Sequence, residues 1–269
     1  AEFRFSKSFF RKIEKENRKL TIMSNPNTVN NPRNSPYLWL DELSTKEAEK
    51  AAKDDVVVIF PVGSVEEHGD HLPLCTDSIQ PEYVALEVAR KTGCFVAPPL
   101  RYGICNATRN FAGTITIGFE TFYKIVNEIL SELVRNGFNR IIVLSGHAGN
   151  SHMVALRMAA QDIVIKNDAL GAERKTRIMV LSDYDFAKEL TPNYASEKDG
   201  HAGTLETSRM MAIKPNLIKT KGSASFTEMP RFEVVAHPEF YFPSGVNGDP
   251  TIASADKGQK INNYIIDEV

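Results

Sequence analysis

The fold is decided by the run VVVIFPV at positions 56–62, which is followed directly by Gly63. A continuous apolar and β-branched run of this length, ended by a glycine, is typical of a strand buried on both faces of a parallel sheet. Similar apolar runs occur at 94–97, 140–144 and 178–181. The sequence therefore predicts four buried strands of one sheet.

Segments with helical periodicity separate these strands. Apolar residues recur at helical spacing over 80–92, 119–136 and 151–166, and Gly137 follows the second segment as a C-terminal cap. Strands separated by helices of this length predict βαβ units with right-handed crossovers and helices on both faces of the sheet. We therefore expect an α/β fold: a single-domain layered α/β sandwich with a mainly parallel central sheet flanked by helices.

The N-terminal residues differ in composition from the rest of the chain. Residues 1–22 mix Arg, Lys and Phe and precede Met23, and residues 24–36 are rich in Asn, Pro and Ser. We expect 1–36 to be an artificial extension followed by a disordered tail, with native translation beginning near Met23. The predicted domain spans 37–269.

Composition and charge exclude several classes of protein. Of 269 residues, 42% are hydrophobic and 25% charged, and 32 basic side chains oppose 34 acidic ones. A nucleic-acid or anionic-membrane partner would require a basic excess, and no apolar run approaches the roughly 20 residues that span a bilayer. The three cysteines, Cys75, Cys94 and Cys105, form no CxxC pair, which favours reduced thiols and a cytoplasmic protein.

Most of the histidines lie in three short segments that contain glycine. EEHGDH at 66–71 follows the first strand, SGHAGN at 145–150 follows the third, and DGHAGTLET occupies 199–207. In open α/β sheets, ligands bind beyond the carboxyl ends of the strands. Imidazole and carboxylate ligands suit Zn, Mn or Fe(II), and a shared carboxylate can hold two ions about 3.5–4 Å apart. These segments predict a metal centre.

The same segments resemble a known family. PVGSVEEHGDHLPLCTD, LSGHAGN and HAGTLETS are similar, in this order, to three signature segments of the creatininase superfamily, and 245–258 resembles its C-terminal segment. The resemblance covers about residues 37–258. It implies a layered α/β fold, a two-metal hydrolytic centre and a homo-oligomer, a hexamer built as a trimer of dimers.

The resemblance also assigns roles to individual residues. It makes four residues of the first two motifs metal ligands: Glu66, His68, Asp77 and His147. Asp77 would bridge two ions. Creatininase itself has a further ligand carboxylate at the position of Gly149, and this departure argues against creatinine as the substrate. We expect Glu206 to supply the missing oxygen, rather than merely to complement a helix N-terminus, and His201 to transfer a proton in catalysis.

Further residues near the motifs are candidates for supporting the ligands or contacting substrate. They are Glu67, His71, Asn150 and Asp249. We expect Glu67 to support the metal ligands by contacting them, without binding metal itself. We expect His71 to orient substrate or to form a hydrogen bond with Asp70. His152 and His237 are expected to be structural.

Together these features predict a metal-dependent amidohydrolase. Hydroxide activated by two divalent ions per chain, Zn first with Mn or Fe as alternatives, would cleave the C–N bond of a small amide, cyclic amide or formamide. One alternative is a hydrolase of a cyclic sugar ketone or lactone. Another is a non-catalytic metal- or nucleotide-binding protein that uses SGHAGN at a helix N-terminus. This last interpretation leaves EEHGDH unexplained.

Overall fold

A computed structural model describes residues 38–171 and 175–269. The predicted extension and tail at 1–36, and Tyr37 at the start of the predicted domain, lie outside the described residues, so their assignment stays a prediction. In the part of the chain that is described, no helix is both long enough and apolar enough to cross a membrane.

A parallel sheet forms the centre of the molecule. Its strands are β1 (Val57–Val62), β2 (Phe95–Val96), β3 (Arg140–Ser145) and β4 (Arg177–Ser182). They follow the spatial order β2-β1-β3-β4, and every pairing is parallel. The register pairs Val62 at the end of β1 with Ser145 at the end of β3, so the segments that follow these strands start side by side.

A helix precedes the first strand, and others lie in the connections between the strands or after the last one. Within the described residues they are α1 (Thr45–Lys53), α2 (Thr76–Thr92), α3 (Phe119–Arg135), α4 (Asn150–Ala169), α5 (Asp183–Glu189), α6 (Thr191–Tyr194), α7 (Thr204–Ile213) and α8 (Ala255–Glu268). Short 3-10 turns span Leu40–Glu42, Pro215–Leu217, Pro238–Phe240 and Pro250–Ile252. The predicted α/β fold is confirmed, and the helices expected at 119–136 and 151–166 differ from α3 and α4 by at most three residues at either end.

The two faces of the sheet carry separate apolar clusters. Val58, Phe60 and Val62 point to one face of β1 and pack with α1, α3 and α4. Ile59 points to the other face and packs with α2, α7 and α8. α3 fits its face because apolar side chains recur once per turn and are fully buried: Phe122, Val126 and Leu130. The strand is thus buried on both sides between layers of helices.

Helix α2 begins one turn earlier than the periodicity predicted. The prediction started at residue 80 because the helical spacing of apolar residues covers 80–92. A proline is usually tolerated only in the first turn of a helix. In the structure Pro81 is the sixth residue of α2, where it has no N–H to donate to the carbonyl of Asp77. This carbonyl lies against glycines at the ends of β1 and β3, and a Cβ on Gly63 would lie 2.5 Å from it. The early start places the Asp77 carboxylate between the two strand ends.

Candidate metal centre

Acidic and histidine side chains from four parts of the chain converge at the carboxyl ends of β1 and β3. The loop after β1 contributes two residues, the loop after β3 one, and the first turns of α2 and α7 one each: Glu66, His68, His147, Asp77 and Glu206. None is more than 7% exposed. The structure therefore brings together all five residues that the sequence proposed as ligands.

Asp77 lies between two imidazoles. Its Oδ1 is 3.0 Å from His68 Nε2, and its Oδ2 is 3.0 Å from His147 Nδ1. The Ser64 hydroxyl donates a hydrogen bond of 2.6 Å to Oδ2 and fixes the carboxylate. Because each oxygen faces a different imidazole, this carboxylate has the geometry to be shared by two ions.

Both imidazoles are oriented by backbone carbonyls. His68 Nδ1 lies 3.1 Å from the Glu66 carbonyl oxygen, and His147 Nε2 lies 2.9 Å from the carbonyl oxygen of Ile104. A carbonyl only accepts hydrogen bonds, so in the neutral rings these nitrogens carry the proton. The opposite nitrogens then direct lone pairs at the carboxylates, as metal-binding histidines commonly do.

The side chains form three groups that could hold a metal ion. In each group, one ligand atom per residue lies within 4.8 Å of the others. The groups are His68–Asp77–Glu206, Glu66–Cys105–His147 and Glu66–His68–His201. The first two share no residue. His68 Nε2 is buried and makes no hydrogen bond, close as it is to Asp77 Oδ1. A cluster of buried carboxylates and imidazoles with such a nitrogen fits a divalent cation.

Strong electrostatic coupling marks the same cluster. Burial opposes a charge on His68, but the carboxylates of Asp77, Glu206 and Glu66 together outweigh it and raise the pKa of His68 to about 10. Burial also opposes ionisation of Asp77, yet the charge of His68 and the hydrogen bond from His147 hold the pKa of Asp77 well below its usual value. In the metal-free protein, the positive charge of protonated imidazoles therefore offsets the negative charge of the neighbouring carboxylates.

Glu206 and His201 lie where the sequence placed them, one on a helix and the other on the loop before it. Glu206 is in the first turn of α7, where its Oε2 accepts a 2.6 Å hydrogen bond from the Ala202 N–H and lies 3.7 Å from His68 Nε2. Burial raises the pKa of Glu206. The rigid helix thus holds this carboxylate on the side of Asp77 that faces His68.

The His201 side chain is 24% exposed, in contrast to the fully buried His68 beside it. Their ring centroids are 4.2 Å apart. His201 Nε2 lies 2.8 Å from the Glu67 carbonyl oxygen and 3.3 Å from Glu67 Oε1. Burial lowers and Glu67 raises the pKa of His201, with a net rise. Glu67 therefore holds the one partly exposed imidazole of the cluster.

The predicted hydrogen bond between His71 and Asp70 is not formed, so this prediction is wrong. Gly69 adopts a φ of +61°, Asp70 points into solvent, and His71 is fully buried. His71 Nε2 lies 3.1 Å from the Ala202 carbonyl oxygen and 3.0 Å from Thr207 Oγ1. Ala202 has a left-handed φ of 53°, uncommon for a residue with a Cβ. His71 thus contacts the turn that carries His201 and does not face the solvent-accessible side of the metal centre.

The two remaining candidates lie at helix starts. Asn150 is exposed at the first position of α4. Asp249 Oδ1 accepts a 2.9 Å hydrogen bond from the N–H of Thr251 and so caps the turn Pro250–Ile252. Asp249 belongs to none of the metal-capable groups in the described residues.

Sequence reasoning missed several residues that the structure brings into the cluster. Thr108 donates a hydrogen bond to Glu66 Oε1, and Cys105 joins Glu66 and His147. Both come from the irregular segment between β2 and α3, where no periodicity or motif marks them. Asp199 accepts hydrogen bonds from the N–H groups of Thr204 and Leu205 and caps α7 from outside the usual capping position.

Comparison with known proteins gives concordant matches. The Creatininase family, described as creatinine amidohydrolase, matches residues 41–269. Creatinine amidohydrolase of Pseudomonas putida is 30% identical over 222 residues, 78% of this chain and 80% of that protein. Mycofactocin precursor peptide peptidase of Mycobacterium ulcerans is 29% identical over 246 residues, 85% and 89% of the two chains.

Solved structures agree with the sequence matches. A crystal structure of creatinine amidohydrolase (creatininase) superposes with a TM-score of 0.79 at 26% identity, covering 87% of this chain and 95% of that one. The shared architecture therefore includes nearly all of the described residues.

Proposed function

The chain belongs to the creatininase family and is an amidohydrolase of carbon–nitrogen bonds other than peptide bonds; from this premise we propose that it is a metal-dependent hydrolase of a small amide, cyclic amide or formamide. The observation that carries the proposal is the position of Asp77, whose two oxygens each lie 3.0 Å from a different buried imidazole. A carboxylate in this position suits a centre of two ions.

The proposed ligands fall into two sets that share Asp77. His68, Asp77 and Glu206 would hold one ion. Glu66, His147 and the second oxygen of Asp77 would hold the other. Zinc is our first choice, with manganese or iron as alternatives, because imidazole and carboxylate accept all three. Solved creatininases described as a manganese form and as a Zn–Zn type support zinc and manganese.

The residues of the chain have distinct proposed roles in the reaction. Two divalent ions, when bound, lower the pKa of water and polarise a carbonyl oxygen. Glu206 keeps its ligand oxygen fixed because α7 and the Ala202 N–H hold it. His201, partly exposed and held by Glu67, would accept a proton and deliver it to the leaving nitrogen, since an imidazole can change charge near neutral pH.

The identity of the substrate is proposed more coarsely. His201 alone among the clustered imidazoles and ligand carboxylates has a side chain as much as 24% exposed, so we propose that a small molecule approaches from its side. Gly149 stands where creatininase has a ligand carboxylate, which argues against creatinine. A relative at 23% identity, 3-dehydro-scyllo-inosose hydrolase of Thermotoga maritima, keeps the cyclic-ketone alternative in the test.

We also propose a homo-oligomer, a hexamer built as a trimer of dimers, and a cytoplasmic protein with one domain over 37–269. Large apolar side chains project from the segment before α8 and would be covered in an oligomer: Phe226, Phe232, Val234 and Phe240. The cysteines form no disulfide, which suits a reducing compartment. Sedimentation at micromolar concentration tests the assembly, and a monomer would count against it.

Metal analysis and a substrate panel test the function. The purified protein should hold about two transition-metal ions per chain after reconstitution. The panel contains cyclic amides including creatinine, formamides, short peptides, and cyclic sugar ketones or lactones. We expect metal-dependent release of amine or formate from an amide, abolished by a chelator and restored by zinc or manganese. Hydrolysis of the sugar substrates alone would favour the alternative, and activity that survives complete metal removal would overturn the proposal.

A further inference from the structure

The segment between β2 and α3 places a thiol in the metal centre. Cys105 is 1% exposed, and its N–H donates to Thr116 Oγ1 at 2.9 Å. The carbonyl oxygen of the preceding residue, Ile104, lies 2.9 Å from His147 Nε2. The peptide unit between Ile104 and Cys105 is therefore held at both its N–H and its carbonyl, and the same stretch of chain positions the thiol and the His147 ring.

The thiol shares its surroundings with a carboxylate and an imidazole. One ligand atom from each of Glu66, Cys105 and His147 lies within 4.8 Å of the other two, and all three residues are buried. His147 Nδ1 is 2.8 Å from Glu66 Oε2. The group on the other side of the centre, His68–Asp77–Glu206, contains only nitrogen and oxygen. The two groups thus differ in one sulfur atom.

Building on the proposed function, we propose that the Cys105 thiolate is a ligand of the ion held by Glu66 and His147, so that the two metal positions are chemically different. Thiolate sulfur favours zinc, iron or cobalt over manganese and magnesium. The position with sulfur therefore selects a thiophilic ion, and the position formed by His68, Asp77 and Glu206 accepts harder ions as well.

The charges around Cys105 favour the protonated thiol when no ion is bound. Burial, and after it the negative charge of Glu66, raise the pKa of the thiol to about 12. The thiol is thus protonated in the metal-free protein, and an ion must displace that proton to bind sulfur. The carboxylates that disfavour a lone thiolate are the charges that attract a divalent cation, so a bound ion reverses their effect on Cys105.

The other cysteines provide the contrast. Cys94 is buried in the apolar cluster between the sheet and α2 and α8. Cys75 is half-buried at the start of α2. Neither belongs to a metal-capable group in the described part of the chain. Cys105 therefore differs from Cys94, which is also buried, in having Glu66 and His147 as neighbours.

Cobalt binding tests the proposal without any substrate. Chelator-treated protein is titrated with Co²⁺ while the near-ultraviolet thiolate-to-cobalt charge-transfer band and the visible bands of bound Co²⁺ are recorded. We expect the charge-transfer band in the unaltered protein and in Cys94→Ala. We expect its loss in Cys105→Ser, with visible bands retained. Zinc affinity at one position should fall by at least about tenfold. Loss of a residue that only hydrogen-bonds to a metal ligand already lowers metal affinity by about 10–100-fold.

A second variant keeps the test decisive if Cys105→Ser does not fold. The double variant Cys75→Ser with Cys94→Ala leaves Cys105 as the last thiol, and the proposal requires the charge-transfer band in this protein. Bound cobalt without that band overturns the role of Cys105 and leaves the proposed function standing. No bound cobalt in the unaltered protein overturns both. A band that persists in Cys105→Ser also overturns the assignment.

Discussion

Gly149 lies so close to His147 that a Cβ at position 149 would be 2.5 Å from His147 Nε2. That nitrogen is also the one 2.9 Å from the Ile104 carbonyl oxygen. The His147 ring can therefore keep this orientation only because residue 149 has no side chain. A larger side chain at 149 would require a different orientation of the His147 imidazole.

Substitution of Gly149 should consequently disturb the metal centre. In Gly149→Ala the new methyl group displaces the His147 ring from Ile104, and we expect metal affinity to fall by about 10–100-fold, as for other losses of ligand orientation. Gly118→Ala is the matched control, because Gly118 also precedes a helix and a Cβ there meets nothing within 4 Å. Equal metal affinities in the two variants, measured by chelator competition, would contradict the prediction.

Glu206 should be required for one ion and not for the other. Glu206→Gln keeps the size of the side chain but removes the charge that faces His68, so we expect metal content to fall from about two ions per chain towards one. Elemental analysis after dialysis measures it. Glu67→Gln makes the same chemical change at a residue outside the metal-capable groups and should retain both ions. Full metal content in Glu206→Gln would show that this residue only caps α7.

His201 should matter for turnover and not for metal binding. In His201→Ala the proton carrier is lost while the ligands are untouched, so we expect both ions to remain and kcat to fall by about 10²–10⁴-fold. The measurement uses the substrate that emerges from the panel, with metal content determined on the same sample. Loss of metal from His201→Ala would instead support the group Glu66–His68–His201 as a binding set.

Metal binding should release protons at mildly alkaline pH. In the metal-free protein the pKa of His68 is raised to about 10, so near pH 8 an ion must displace a proton from this ring. We expect apparent metal affinity to rise with pH towards that value. Calorimetry in buffers of different ionisation enthalpy measures the release, and His68→Gln should release fewer protons. Buffer-independent heats would exclude this linkage.

The same raised pKa makes a stability prediction for the metal-free protein. A group whose pKa is higher in the folded state stabilises the fold fully below its unfolded value, about 6.5 for His. The contribution of His68 is lost as the pH rises through about 10. Denaturant midpoints should therefore show a smaller alkaline decline in His68→Gln than in the unaltered protein.

A buried ion pair holds α7 against its neighbours. Arg209 Nη2 lies 2.5 Å from Asp183 Oδ2, and both side chains are fully buried. Arg209→Met leaves a buried carboxylate unpaired and should lower the free energy of unfolding by about 3–5 kcal/mol, whereas the double variant with Asp183→Leu should recover most of the loss. Breaking the exposed pair of Lys260 and Asp256 by Lys260→Met should leave the denaturation midpoint unchanged.

The sequence predicted the parts of this molecule that depend on repeated patterns. The run at 56–62 is a strand because its side chains alternate between two apolar faces, and the turn spacing of Phe122, Val126 and Leu130 makes α3. The clustering of Glu66, His68 and His147 follows from the pairing of β1 with β3. The hydrophobic pattern and the strand topology are therefore sufficient to predict that the main site residues lie close together.

The remaining features depend on contacts that no local pattern encodes. Helix α2 starts four residues before the predicted 80–92 because its first turn is fixed by contacts of the Asp77 carbonyl with two glycines, and not by apolar spacing. His71 bonds to Ala202 and Thr207, both more than 100 residues away in the chain. Cys105 reaches Glu66 and His147 from an irregular segment. Such positions follow from tertiary packing, which periodicity does not report.

The proposed ligands extend from Glu66 to Glu206 and belong to four segments that meet only when the strands are paired and α2 and α7 are docked. An unfolded chain offers no such cluster, so an ion binds the native state and adds its binding free energy to global stability as RT ln(1 + [metal]/Kd). At a metal concentration one hundred times Kd this amounts to about 2.7 kcal/mol per site. Metal binding would therefore stabilise the folded domain by joining segments up to 140 positions apart in the chain (206 − 66) without a covalent cross-link.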